Sequence, residues 1–323
     1  DYYASRGLGD VYKRQVIKFT VALTAFLLIN HNIGYMEKIS STPIALILAL
    51  ICSILPVGGA VFIGSVLILL DMYALSLEVC IVALILFILM YILYFRFSPK
   101  NEYGVLLTPI CFGLNIPFVM PVGMGLLREL YSMFSLVCGI VLYFFLNGVK
   151  QNETTLGGVD EKDAATSKIV VALNQLLGNR EMYLVLAIMV VTLVIVYIIR
   201  KMSIEHAWAV AIIFGILFEA VGMIAGDMVL GISGKTITIL VGSIISCVIA
   251  FVIQFLFFNL DYSRTERLQF EDDEYYYYVK AVPKAIVAGT DKKVTRFSGK
   301  EEQDRMTKKR FAEEMEIDED LLD

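Results

Sequence analysis

The chain has 323 residues, 58% of them hydrophobic, with a mean hydropathy of +0.73 and a formal net charge of −5. The apolar share lies above the roughly 45–50% typical of soluble domains, which excludes an ordinary soluble enzyme. Residues 261–323 hold 17 of the 32 acidic and 12 of the 27 basic residues, so the excess negative charge sits in the tail, the rest is near neutral, and no nucleic-acid partner is expected.

Residues 1–15 stand apart, because Asp10-Val-Tyr-Lys-Arg-Gln15 reads in frame as the translation of GATGTGTATAAGAGACAG, a transposon end used in sequencing libraries. We therefore expect an adapter artefact there and leave it out of fold arguments. The chain lacks an initiator methionine and stops in an acidic stretch, so both ends are expected to be incomplete.

From there the sequence reads as a succession of apolar runs. A first span at 16–30 is followed by a long segment at 43–70, broken at Pro56-Val-Gly-Gly59. An unbroken span at 79–95 precedes a Pro-interrupted segment at 105–122 and a span at 127–146. A polar stretch, 147–181, separates these from three more spans at 182–199, 207–226 and 236–258. These lengths suit the roughly 20 residues that cross a bilayer core. The expected fold is all-α and polytopic, with about seven or eight membrane segments, one or two of them broken or re-entrant. Its parts are a membrane half at 16–147, an extracytoplasmic linker at 148–181, a three-helix half at 182–260 and a cytoplasmic tail at 261–323.

Lysine and arginine in short loops are retained on the cytoplasmic side. Arg96 and Lys100, Arg200 and Lys201, and Arg264 and Arg267 mark three such ends. The turn at 71–78 has no basic residue and is expected outside, as is the loop at 227–235. Arg96 and Arg128 can both be inside only if 105–122 enters and leaves on the same side.

Leu48-Ala-Leu-Ile-Cys-Ser-Ile-Leu-Pro-Val-Gly58 aligns with gaps to Leu107-Thr-Pro-Ile-Cys-Phe-Gly-Leu-Asn-Ile-Pro117, followed by Pro121-Val-Gly123. Broken segments in corresponding positions point to a transporter site at the repeat interface, where unpaired backbone groups face a ligand. Pro56, Gly58, Gly59, Asn115, Pro117, Pro121 and Gly123 are the candidates this supplies. Kinked helices that only pack are the other reading.

Glu219 lies about thirteen residues into an apolar span, where a charge costs about 2.5–3.5 kcal/mol on insertion scales and needs a partner or a purpose. Gly215, Gly222 and Gly226 surround it at helical spacing, so close helix packing competes with a role in an ion or substrate pathway. Asp227, at the outer end of the same span, completes the candidate set; Asp71 and Glu78 lie at other outer ends. The histidines, His31 and His206, lack metal-ligand spacing, and the five cysteines read as buried hydrophobes. Phosphate-loop, HExxH and GxSxG motifs are absent, so neither an enzyme nor a cofactor is expected.

In the tail, 275–282 is rich in strand-favouring tyrosine and valine, and 301–316 has helix propensity with a thin apolar stripe. Leu55-Pro-Val-Gly-Gly59, Tyr94-Phe-Arg-Phe-Ser-Pro-Lys100, Ile116-Pro-Phe-Val-Met-Pro121 and Phe270-Glu-Asp-Asp-Glu-Tyr-Tyr-Tyr-Tyr-Val-Lys280 resemble segments of uncharacterised multi-pass membrane proteins of anaerobic Gram-positive bacteria, some labelled transporter permeases. That resemblance implies a bacterial cytoplasmic membrane and supplies no site residues. The expectation is a permease-like protein for a small molecule or ion. Its partners would be the bilayer, an ATPase or other cytoplasmic subunit, and a second copy of the chain. The competing class is a membrane scaffold that presents its tail.

Overall fold

The computed structural model describes residues 2–97, 102–157, 164–202, 204–231, 236–257, 266–271 and 276–281, in two units, Asp1–Phe258 and Asn259–Asp323. The first unit opens with α1 (Tyr2–Ile33), which turns at 34–41 into α2 (Thr42–Ile54). Pro43 falls in the first turn of α2, where its missing N–H is harmless. The helix stops because Leu55, preceding Pro56, is held extended (φ −69°, ψ 159°). Chain direction then reverses, and α3 (Val57–Leu75) begins at once.

α4 (Leu77–Phe97), α5 (Glu102–Gly113), α6 (Val119–Leu127) and α7 (Ser132–Gln151) follow. The stretch expected to be a polar linker is partly helical: α7 runs on to Gln151, and α8 (Glu153–Leu156) and α9 (Ala164–Leu177) come after it. α9 buries Ala172 and Leu176 and packs on α4 and α7. Asn179 caps α10 (Arg180–Lys201), its side-chain oxygen accepting from the Met182 N–H at 3.1 Å. α11 (Ala207–Leu230) ends on Gly231, whose left-handed φ of 70° suits glycine. α12 (Thr236–Phe257) closes the unit.

Contacts fix the helix directions. The Lys18 ammonium donates to the Leu55 carbonyl, while the Met36 N–H donates to Asp71, so α1 and α3 run together with α2 opposed. Cys80 donates to the Leu69 carbonyl, which brings the start of α4 to the end of α3. Phe97 stacks on Phe134 at 4.5 Å, putting the end of α4 beside the start of α7. Gly104 faces Ser135 and Gly139 faces Thr108, so α5 and α7 are parallel. Arg200 donates to the carbonyls of Leu126 and Arg128, bringing the end of α10 to the end of α6. Arg96, Arg128, Arg200 and Lys201 therefore share one end of the bundle, the lower end; Ile33, Asp71 and Gln151 share the upper.

Among the described residues, six apolar stretches, at Gln15–Ile33, Val57–Leu75, Ser132–Gln151, Lys168–Lys201, Ala207–Leu230 and Thr236–Phe257, are long enough to cross a membrane. Shorter apolar helices lie at Thr42–Ile54, Leu77–Leu93 and Tyr103–Gly113. α11 and α12 expose Ile213, Phe214, Leu217, Ile237, Ile244 and Phe255, a surface that suits lipid rather than water.

In the second unit, β1 (Glu266–Glu271) pairs antiparallel with β2 (Tyr276–Ala281), Glu266 opposite Ala281. The helix expected at 301–316 lies outside the described residues, as do Lys100, Arg264 and Tyr275.

Candidate functional site

Two proline-marked breaks interrupt the first half, and they are built differently. At the lower break, Pro56 cannot continue the hydrogen-bonding of α2, and Lys18 takes up the free Leu55 carbonyl at 3.0 Å. Gly59 donates back to the Pro56 carbonyl at 2.9 Å. These two bonds tie the break to the protein on either side of Pro56.

At the other break, Asn115 adopts a left-handed conformation (φ 59°) just past α5. The Ile116 N–H donates to the Cys111 carbonyl at 2.9 Å and the Asn115 N–H to the Phe112 carbonyl at 3.1 Å, the pair of bonds of a Schellman cap. Asparagine tolerates this conformation better than most residues, which accounts for it here. Chain direction reverses over 114–118, and α6 descends beside α12, with Phe118 near Gly242 and Gly123 near Ile253.

These reversals give two three-helix runs of opposite sense. α2, α3 and α4 run down, up and down; α5, α6 and α7 run up, down and up. The strings aligned in the sequence occupy α2 with its break and α5 with its break, so they point in opposite directions.

Between the runs lies a cavity of about 370 Å³, walled by α1, α3, α4, α5 and α7, within the ~300–1,000 Å³ range of small-molecule sites. Its wall is largely apolar and aromatic, with Phe87, Phe112 and Tyr143 among the lining residues. Phe112 stacks on Tyr143 at 4.5 Å. Deep in the wall, the hydroxyls of Ser65 and Tyr91 are 2.9 Å apart, and Ser65 also donates to the Phe62 carbonyl. Pro109, in the middle of α5, has no N–H to give the Val105 carbonyl, and both residues line the cavity. At the upper end the lining becomes polar: His31 and Asn32 from α1 face Asn147 and Lys150 from α7, and the Lys150 ammonium donates to Asn32 Oδ1 at 2.9 Å.

Of the candidate site residues drawn from the sequence, Asn115 lines this cavity. Pro56, Gly58 and Gly59 sit at the lower break; Pro117, Pro121 and Gly123 belong to the α5–α6 turn and to α6. Glu219 lies outside the cavity wall, fully buried on α11, and neither carboxylate oxygen has a hydrogen-bond partner among the described residues. The glycines around it are contact points: Gly215 faces Val196, Gly222 faces Ile188 and Gly226 faces Leu184. Asp227 is buried near the upper end of α11.

Ser65, Tyr91, Asn147 and Lys150 did not stand out in the sequence, and His31 was noted only as lacking metal-ligand spacing. One signal was available, since Asn147 and Lys150 lie three apart on one helical face at the end of an apolar run. Among the described residues, no three His, Cys, Asp or Glu side chains could hold a metal ion. Near this end, outside the spans, burial and the charges of Glu153 and Asp71 push the Tyr35 hydroxyl up to about 12. Asp71 itself accepts from the Met36 N–H at 3.0 Å. The chain matches no family model, and no curated protein and no solved structure matches it.

Proposed function

We propose that this chain is an integral membrane permease of a bacterial cytoplasmic membrane, with its tail in the cytoplasm, moving a small molecule or ion through the first half of the bundle. The observation that carries the reading is the cavity between two three-helix runs of opposite sense, each containing a broken element. In transporters built from inverted repeats, the substrate site lies at that interface and is formed by discontinuous helices. The α5–α6 pair would be re-entrant, with both ends at the cytoplasmic face among Arg96, Arg128 and Arg200. A cytoplasmic ATPase or a second copy of the chain would be a partner of such a permease.

The test needs no substrate. Ser65→Cys, in a background where the five native cysteines are replaced, is challenged with a membrane-impermeant maleimide from each side in oriented vesicles. Alternating access predicts labelling from both sides. A cysteine protected from both sides, or labelled from one side under every condition, refutes the permease.

A second reading rests on the β1–β2 hairpin, which exposes Tyr276, Tyr278 and Val279. An isolated two-stranded hairpin is marginal in water, so this one would gain stability from a partner. On this reading the chain is a scaffold that presents the tail. Deleting residues 261–323 discriminates, because a permease retains two-sided labelling at position 65.

A further inference from the structure

The composition of the cavity wall points to the class of ligand, an inference that rests on the cavity being the substrate site. Three features bear on it. The body of the wall is apolar and aromatic, with Phe87, Phe112, Tyr143 and Leu142 among its residues. Among the described residues no aspartate or glutamate lines it, and the lysine in its lining, Lys150, stands at the upper end with His31, Asn32 and Asn147. Carboxylates do occur at that end, but neither Asp71 nor Glu153 lines the cavity, and Asp71 is engaged by the Met36 N–H and the Ser40 hydroxyl.

A cationic ligand would meet an ammonium on entry and no counter-charge inside. A small inorganic ion would leave most of the apolar wall uncovered. An amphipathic anion satisfies both parts: its apolar body fills the aromatic interior, and its charged group lies at the polar end. The Lys150 ammonium has three donors, of which Asn32 Oδ1 takes one in this structure, so donors are left for an incoming oxyanion. The amides of Asn32 and Asn147 supply neutral donors beside it. The bond from Lys150 to Asn32 also ties α7 to α1 at this end, so capture of an anion by Lys150 competes with that tie.

We propose that the cavity binds an amphipathic organic monoanion, a carboxylate or phosphate on an apolar or aromatic body, with Lys150 as the group that holds its charge. Such a molecule could come from the aqueous phase or be an anionic lipid entering from the bilayer.

The test uses the full chain in phosphatidylcholine nanodiscs and three probes of nearly equal shape: phenylbutyrate, phenylbutanamide and phenylbutylamine. Binding is read by calorimetry. The expected order is carboxylate, then amide, then amine. Lys150→Gln should weaken phenylbutyrate roughly tenfold and leave phenylbutanamide nearly unchanged, because one charge-assisted hydrogen bond is lost. Lys150→Arg should restore most of the carboxylate affinity. Gly64→Leu, placed in the cavity wall far from the lysine, should abolish binding of all three.

Repeating the measurement with phosphatidylglycerol in the nanodiscs separates the two sources. Competition with phenylbutyrate assigns the ligand to the bilayer; unchanged affinity assigns it to the aqueous phase. Binding of the amine at least as tight as the carboxylate, or a carboxylate preference that survives Lys150→Gln, overturns the proposal, as does the absence of binding by any probe. Two-sided labelling at position 65 is measured without any of these ligands, so the permease reading and the ligand class fail independently.

Discussion

The wall between α5 and α7 makes one substitution diagnostic. Gly139 sits against Thr108, and a Cβ built on Gly139 would fall 2.5 Å from Thr108 Cβ, 2.9 Å from its Oγ1 and 3.1 Å from its Cγ2. Real carbon contacts stand near 3.5–4.0 Å, so Gly139→Ala demands a displacement of about 1 Å or more. Thr108 cannot yield by rotating, since its β-branched side chain is stiff and its hydroxyl donates to the Gly104 carbonyl at 2.7 Å. The helices themselves must separate. Overpacking of this kind costs about 1–3 kcal/mol, against a helix-propensity gain from Gly→Ala of about 1 kcal/mol or less. Gly64→Ala is the matched control. Its Cβ would meet only Phe26, at an ordinary 3.7 Å, so the substitution should be neutral or stabilise by up to about 1 kcal/mol. The assay is thermal denaturation of the purified full chain in one detergent, with intact protein followed by size-exclusion fluorescence. Opposite shifts are expected for the two variants. A gain in stability for Gly139→Ala as large as that of Gly64→Ala would refute the close parallel packing of α5 on α7, and with it the geometry of the cavity wall.

Other substitutions test the two breaks and the buried carboxyl. Asn115→Gly should leave stability within about 1 kcal/mol of the parent, whereas Asn115→Val, a β-branched residue in left-handed backbone, should lower it by about 1–2 kcal/mol in the same melting assay. Lys18→Met leaves the Leu55 carbonyl without its ammonium and, the bond being exposed, should destabilise by about 0.5–1.5 kcal/mol, with Lys18→Arg closer to the parent. Glu219→Met removes two buried oxygens that have no partner among the described residues and should raise the melting temperature, by an amount equivalent to about 1–3 kcal/mol. A fall instead would show that the carboxyl has a stabilising partner in the membrane. If Glu219 titrates during transport, Glu219→Gln alters the pH dependence of flux once a transport assay exists.

Much of the architecture was readable from single residues. Pro56 and the Asn115 to Pro121 stretch announce breaks because proline removes a donor and restricts its neighbour, effects that are local. The apolar runs that became α10, α11 and α12 were equally plain, since length and composition decide them. Charge counting placed Arg96 and Arg128 at one end, and the descent of α6 puts them there. The cavity was not readable. It is made by α1, α3, α4, α5 and α7, whose mutual contacts join residues more than a hundred apart, as in the bond from Lys150 to Asn32. Lys150 lay in a stretch read as linker, although it belongs to the last turn of α7. Glu219 drew attention for its chemistry, yet it does not line the cavity between the two runs, because a burial cost visible in the sequence does not reveal which neighbours share the space.

The reversal at 114–118 also bears on how the chain reaches its membrane. α5 has 12 residues and α6 has 9, so at 1.5 Å per residue the arms reach about 18 Å and 14 Å, short of a bilayer core of about 30 Å. Neither arm qualifies for insertion by its own length, and the backbone groups at the tip have no place in lipid. The surface that the tip packs on, Gly242 of α12, whose Cβ position lies 3.3 Å from the Asn115 carbonyl, is synthesised more than a hundred residues later. The hairpin tip therefore reaches its final packing only once the second half of the bundle has been made.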